Sequence, residues 1–139
     1  MRCLEIGPGF ERLPGFETLN LVRNQFTDHV GDAKKPPFGD GVFDVVYSSH
    51  CIEHVEWHEV EDTIKQWSRI LKSGGLLEVH TVNGHLMMQA LVRYEETGEA
   101  GIQAGKWKAN LHKGDPYKWA AARILNYRRD GEKGESWMH

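Results

Sequence analysis

The sequence is poor in cysteine, with only Cys3 and Cys51, and it has five prolines and no long apolar run. Two thiols cannot build a disulfide framework or a zinc ribbon. Both are expected as small, reduced core side chains of an intracellular protein. No apolar stretch nears the roughly 18 residues that a membrane span needs. Met1-Arg2-Cys3-Leu4-Glu5 enters a strand-like pattern at once, which is not how a signal peptide begins. There is no internal repeat and no low-complexity tract. What is present, 40% hydrophobic and 27% charged residues in a chain of 139, is ordinary globular composition. A chain of this size buries roughly two-thirds of its unfolded surface without staples. The expectation is a soluble, cytoplasmic domain.

Charge is unevenly spread. Residues 1–97 carry nine Lys and Arg against fifteen Asp and Glu, whereas residues 98–139 carry eight against five. An acidic body lacks the basic stripe of a duplex nucleic-acid binder. The basic tail holds Trp107, Tyr117, Trp119, Tyr127 and Trp137. That pattern leaves single-stranded nucleic acid open but fits a solvated helix face with aromatic anchors better.

Hydrophobic patterning gives the order of elements. Cys3-Leu4-Glu5-Ile6 is a buried strand ended by Gly7-Pro8-Gly9, and Thr18–Val22 is a second strand after the Leu13-Pro14-Gly15 turn. A short third strand lies near His29-Val30, and Pro36-Pro37 forbid helix in the loop that follows. Val42–Tyr47 reads as a central strand. Val60, Ile64, Trp67 and Leu71 make a helical stripe that Ser73-Gly74-Gly75 ends. Leu76–Val82 is a further strand and Leu86–Glu96 a helix; 98–114 is a loop, and Asp115-Pro116 opens a helix reaching about Arg129. This is the grammar of an α/β fold: a Rossmann-like, mostly parallel sheet flanked by helices. Residues 1–97 form its core, and 98–139 belong to the same domain as an acceptor-side or edge-covering segment. Such sheets bind ligands beyond the carboxyl ends of their strands.

The polar and glycine-rich residues fall at those ends. In Glu5-Ile6-Gly7-Pro8-Gly9 the glycines allow close backbone approach, and a carboxylate stands beside them. There is no phosphate-loop Lys-Ser/Thr pair and no full G-x-G-x-x-G. His50-Cys51-Ile52-Glu53-His54 spells H-x-x-E-H, with His58 one turn on. On a helix these imidazoles would share a face and could hold zinc, as in a zinc protease of that spacing. The strand just before the motif and the glycine loop argue against a protease, and no metal site is assigned.

Taken in order, Glu5-x-Gly7-x-Gly9, Gly31-Asp32-Ala33, Phe43 to His54 and Arg69-Ile70-Leu71-Lys72-Ser73-Gly74-Gly75 resemble the class I S-adenosylmethionine-dependent methyltransferases over residues 2 to 85. The early Leu13-Pro14-Gly15 turn is similar to a small bacterial branch in which the helix between the first two strands is nearly lost. The resemblance implies S-adenosylmethionine as cofactor, with its methionine part across Gly7 and Gly9 and Glu5 ordering that loop. Asp32 would meet the adenine amino group beside Ala33, and Ser48 and Ser49 would end the fourth strand near the methionine. Asn20 stands where the family has a carboxylate for the ribose hydroxyls, and it can offer only one carbonyl acceptor there. His50 and His54 are the candidate general bases, since imidazole titrates near neutrality; Glu53 and His54 would also cap the following helix while His50 faces the acceptor.

Family members end with two more strands, an antiparallel hairpin that this sequence does not show. The fifth strand would then carry a bare edge. A homodimer, or the 115–129 helix through Trp119, Ile124 and Tyr127, is expected to cover it. The methyl acceptor is not legible. The rival reading is a binding or subunit-activating module with the same fold and no catalysis.

Overall fold

The computed structural model describes residues 1–98. Five strands run β1 (Cys3–Ile6), β2 (Glu17–Asn20), β3 (His29–Val30), β4 (Phe43–Ser49) and β5 (Leu71–His80). They form one sheet in the order β3-β2-β1-β4-β5 with every neighbouring pair parallel. Two short 3-10 turns, Ile52–His54 and Trp57–Glu59, lead from β4 into helix α1 (Val60–Arg69). Helix α2 spans Gly84–Thr97. The helices and strands expected from periodicity over residues 1–97 are all present.

Register explains which residues are buried. Leu4 stands opposite Val46 and Val46 opposite Leu77, while Ile6 stands opposite Leu19 and Ser48. Alternate residues of a strand share a face, so this side of the sheet is a continuous apolar surface. Leu4, Ile6, Leu19, Val46, the helix residue Trp67 and Ile70 just past the helix are fully buried in one cluster, with Ile64 and Val60 packed on it. Trp67 also donates its indole N–H to the Ala33 carbonyl at 2.7 Å, fixing the loop after β3 against α1. Arg69, the last residue of α1, adds hydrogen bonds to the Phe38 carbonyl and Asp40.

The opposite face carries Cys3, Glu5, Thr18, Val45, Tyr47 and Ser49. Over β1 and β2 it is buried; over β5 it opens to solvent, where Leu76, Glu78 and His80 are exposed.

Several boundaries shift by a few residues. β2 ends at Asn20, leaving Leu21 and Val22 exposed. α1 stops at Arg69 and Leu71 joins β5, so the fourth residue of the helical stripe is a strand residue. Ser73-Gly74-Gly75 is a bulge inside β5 rather than a gap before it. The partner of β4 jumps from Leu71 opposite Phe43 to Leu76 opposite Val45, and Gly74 turns the chain with φ of 78°. A Cβ on Gly75 would lie 3.0 Å from the Asp44 carbonyl, so the bulge needs glycine.

The described residues divide into two compact units, one over Met1–Thr81 and one beginning at Val82. In the second, the Asn83 side chain caps α2 by accepting from the Leu86 N–H, and Gly98 closes it in the left-handed conformation. Met87 packs with Val82 and Leu91. No described helix is long and apolar enough to cross a membrane. The loop read over 98–114, the 115–129 helix and the missing hairpin lie outside the described residues. Among the described residues β5 is an edge strand.

Candidate functional site

β1 and β4 are adjacent, yet the chain leaves β1 toward β2 on one side and leaves β4 toward β5 on the other. Loops diverge at such a point and a crevice opens beyond the strand ends. A cleft of about 280 Å³ lies there, lined by Glu5, Gly7, Pro8, Glu11, Leu13, Tyr47, Ser49 and His50. It holds two carboxylates and no Lys or Arg.

Each lining residue has a local cause. Gly7 turns the chain at the end of β1 with φ of 71° and donates its N–H to the Leu19 carbonyl at 2.9 Å. A Cβ there would come within 2.7 Å of the Cys51 sulfur, so the glycine is required by packing as well as by any ligand. Burial pushes the Cys51 thiol up to about 11, which leaves it a protonated packing group. Glu5 is buried, and its Oε2 accepts the Leu13 N–H at 2.8 Å, folding the loop after β1 back over the strand. Burial raises the Glu5 carboxyl above its ordinary value, against the lowering effects of the Leu13 N–H and the Arg12 charge. Tyr47 stands opposite Glu5 in the register, with Phe16 edge-on at 6.2 Å and His80 at 5.4 Å between centroids.

His50 is the first residue past β4 and has φ of 53°, the one positive-φ residue other than glycine among those described. Its N–H donates to the His80 carbonyl at 3.0 Å. Its Nδ1 lies 3.0 Å from Glu53 Oε1, and Glu53 Oε2 accepts the Thr81 hydroxyl at 3.1 Å.

The structure thus brings Glu5, Gly7, Ser49 and His50 to one cleft. The other expected residues lie elsewhere. Gly9 is buried and its carbonyl accepts from the Asn24 amide. Ser48 points to the apolar face and donates to the Ile6 carbonyl at 3.1 Å. Asn20 is 1% exposed, beneath the loop that follows it; its amide donates to Thr27 Oγ1 while its Oδ1 has no hydrogen-bond partner. Asp32 is exposed at the end of β3, accepting the Lys34 N–H, and Ala33 packs on the core. His54 ends the first 3-10 turn and does not line the cleft.

The H-x-x-E-H segment is not α-helical, and two separate 3-10 turns replace the continuous face that would align His50, His54 and His58. Glu53 caps no helix either; it reaches His50 and Thr81 instead. Glu56, His58 and Glu59 could each offer one ligand atom within 4.8 Å, but Lys34 already holds Glu59 at 3.0 Å. Tyr47, Glu11 and Leu13 were missed in the sequence. Strict alternation from Ser49 back through Tyr47 would have found the first.

Residues 15–79 match the family model described as a methyltransferase domain. That stretch of the chain is similar to class I methyltransferases. Ajmaline N-methyltransferase of Rauvolfia serpentina is 44% identical over 63 residues, which are 45% of this chain and 21% of that protein. The uncharacterized protein YafE of Escherichia coli strain K12 is 33% identical over 88 residues, 58% of this chain and 42% of that one. The chain therefore spans less than half the length of either relative. The PH0226 protein from Pyrococcus horikoshii OT3 superposes with a TM-score of 0.52 at 22% identity, over 67% of this chain and 54% of that one, a likeness of fold.

Proposed function

We propose that this chain binds S-adenosylmethionine at the carboxyl ends of β1 to β4 and passes its methyl group to an acceptor held beside β4. The observation that carries the reading is the acidic cleft between β1 and β4. Its Glu5 and Glu11 carboxylates, with no lining cation, suit a positively charged ligand. When bound, the cofactor supplies an electrophilic methyl group on a cationic sulfur.

The residues present fit that group. The Gly7 turn and the partly open wall at Ser49 leave room for the methionine part, and Glu5 and Glu11 face its positive charges. Asn20 Oδ1 is a buried acceptor lacking a donor, which a ribose hydroxyl would satisfy once the 21–28 loop gives way. Gly9 shapes the loop, Asp32 and Ala33 mark the adenine end after β3, and Ser48 ties β4 to β1. Most of the remaining work is placement of the acceptor and removal of water. A cytoplasmic setting goes with this reading, and so does pairing of the β5 edge with a second copy of the chain. The acceptor of the Rauvolfia relative is not carried over.

Asn20 also favours the other reading, a binding module without catalysis, because its amide is already engaged by Thr27. Calorimetric titration with S-adenosylmethionine separates the two. The expected result is one site per chain with a dissociation constant within roughly 1 μM to 1 mM, the range in which enzymes usually hold their substrates. No binding heat at millimolar cofactor would overturn the assignment.

A further inference from the structure

We infer that His50 acts as a general base whose ring is set by Glu53 and Thr81, so that the acceptor is an O–H or N–H group that loses its proton on methylation. The catalytic part rests on the methyl-transfer reading; the state of the ring does not.

Three segments meet at this point: the end of β4, the first 3-10 turn and the residue after β5. His50 holds a left-handed backbone that is uncommon for a residue with a side chain. Such a conformation persists where the surroundings impose it. The Glu53 side chain is 10% exposed, whereas that of His50 is 49% exposed. The carboxylate is thus fixed inside and the imidazole stands in the wall of the cleft. An ionised carboxylate can only accept hydrogen bonds, so both of its partners must donate. Thr81 donates its hydroxyl to Oε2, and His50 must carry its proton on Nδ1 to serve Oε1. That leaves Nε2 as the bare nitrogen of the ring, and no described residue hydrogen-bonds it.

An imidazole so held is ready to accept a proton at one defined atom. The acceptor's lone pair forms the new bond to the methyl carbon, and the carbon–sulfur bond breaks with its pair left on sulfur. The acceptor's proton ends on His50 Nε2. The positive charge this creates faces the Glu53 carboxylate through the existing hydrogen bond. Glu53 and Thr81 are positioning residues in this scheme, since neither reaches the cleft.

Long-range proton–nitrogen NMR of the full chain reads the ring directly at a pH where His50 is neutral. The wild type is expected to show Nδ1 protonated and Nε2 bare. Glu53→Leu should move most of the population to the opposite tautomer, whereas Glu53→Gln, which keeps an acceptor oxygen, should largely hold it. A wild-type ring protonated on Nε2, or a Glu53→Leu ring unchanged in a folded chain, overturns the proposal. The chemical arm uses S-adenosylmethionine with phenols, N–H heterocycles and thioethers as acceptor probes. Turnover is expected for the protic probes and should fall by about 10²–10⁴ in His50→Gln. Turnover confined to thioethers, or untouched by His50→Gln, contradicts the role. A wild-type chain that takes up no S-adenosylmethionine removes the methyl-transfer reading and the catalytic role with it, and the tautomer result still stands by itself.

Discussion

Between β4 and β5 the chain crosses through α1, and the apolar faces of helix and sheet meet around Trp67, Ile70 and Val46. Between β1 and β2, and again between β2 and β3, it crosses through loops with no helix. Parallel strands usually need a crossover of a dozen or more residues, most often helical. Polar side chains take the helix's place here. Thr18 accepts from the Asp28 N–H and donates to the Phe26 carbonyl, and Asp28 accepts the Thr18 N–H and an Arg12 N–H. Asn24 ties the Gly9 carbonyl to this knot. Both halves share the apolar cluster beneath the sheet; beyond it, one is covered by a helix and the other is tied by part-buried side-chain hydrogen bonds. The cleft lies at the seam, with Glu5 and Gly7 from the polar half and Ser49 and His50 from the apolar half.

The difference can be broken from either side. Trp67→Ala removes a fully buried ring and the hydrogen bond to Ala33, so a loss of about 3–5 kcal/mol in urea unfolding is expected. A loss under 1 kcal/mol would mean that α1 is not what holds the apolar half. Thr18→Val keeps the shape but leaves the Phe26 carbonyl and the Asp28 N–H without their partner. The expected cost is about 1–3 kcal/mol. Hydrogen exchange should quicken over residues 17–30 while β4 and β5 stay protected, and uniform loss of protection would contradict the division.

Two smaller effects depend on pH. Burial raises the Glu5 carboxyl, so its ionisation weighs against folding as pH climbs through the carboxylate range. Glu5→Gln should therefore melt higher than the wild type at pH 7, with the gap closing as pH falls, and should bind S-adenosylmethionine more weakly. A variant that gains nothing in melting temperature at neutral pH would place Glu5 in solvent. Glu17 is held down to about 2 by its hydrogen bonds to Arg2 first and His29 next. A lowered carboxyl stabilises above its ordinary value of 4.5 and loses that effect as pH falls toward 2. Glu17→Gln should be slightly less stable than the wild type at neutral pH and equal to it near pH 2. The effect is small because both side chains are partly exposed.

The apolar half was legible in the sequence because it obeys periodicity. Val60, Ile64 and Trp67 announce α1, and the β-branched run before Tyr47 announces β4. Leu71 misled, since a strand that starts one residue after a helix continues the apolar stripe by coincidence. The polar half gave strands but not their roofs, because a knot such as Thr18–Asp28 has no period. The site divided in the same way. Glu5, Gly7, Ser49 and His50 could be expected at the cleft because they lie at or just past the carboxyl ends of β1 and β4, where α/β sheets open toward ligands. Ser48 and Ser49 could not be told apart until the register put one on each face. Asn20 was read as facing a ligand, although the loop that buries it is held by hydrogen bonds that the Asn20 amide and the Asn24 N–H donate to Thr27 Oγ1. Glu53 was read as a cap because it precedes the helix, but it lies inside the first 3-10 turn, well before α1 begins at Val60.

The central claim is that the acidic cleft between β1 and β4 receives the cationic end of S-adenosylmethionine. Ser49→Lys tests it most directly, since Ser49 lines the cleft at a partly exposed position and lysine there sets a positive charge against the ligand's own. Calorimetric titration of the wild type and of the folded variant is expected to show saturable binding in the first and an affinity lower by about tenfold or more in the second. Equal affinity in the two chains would contradict the account.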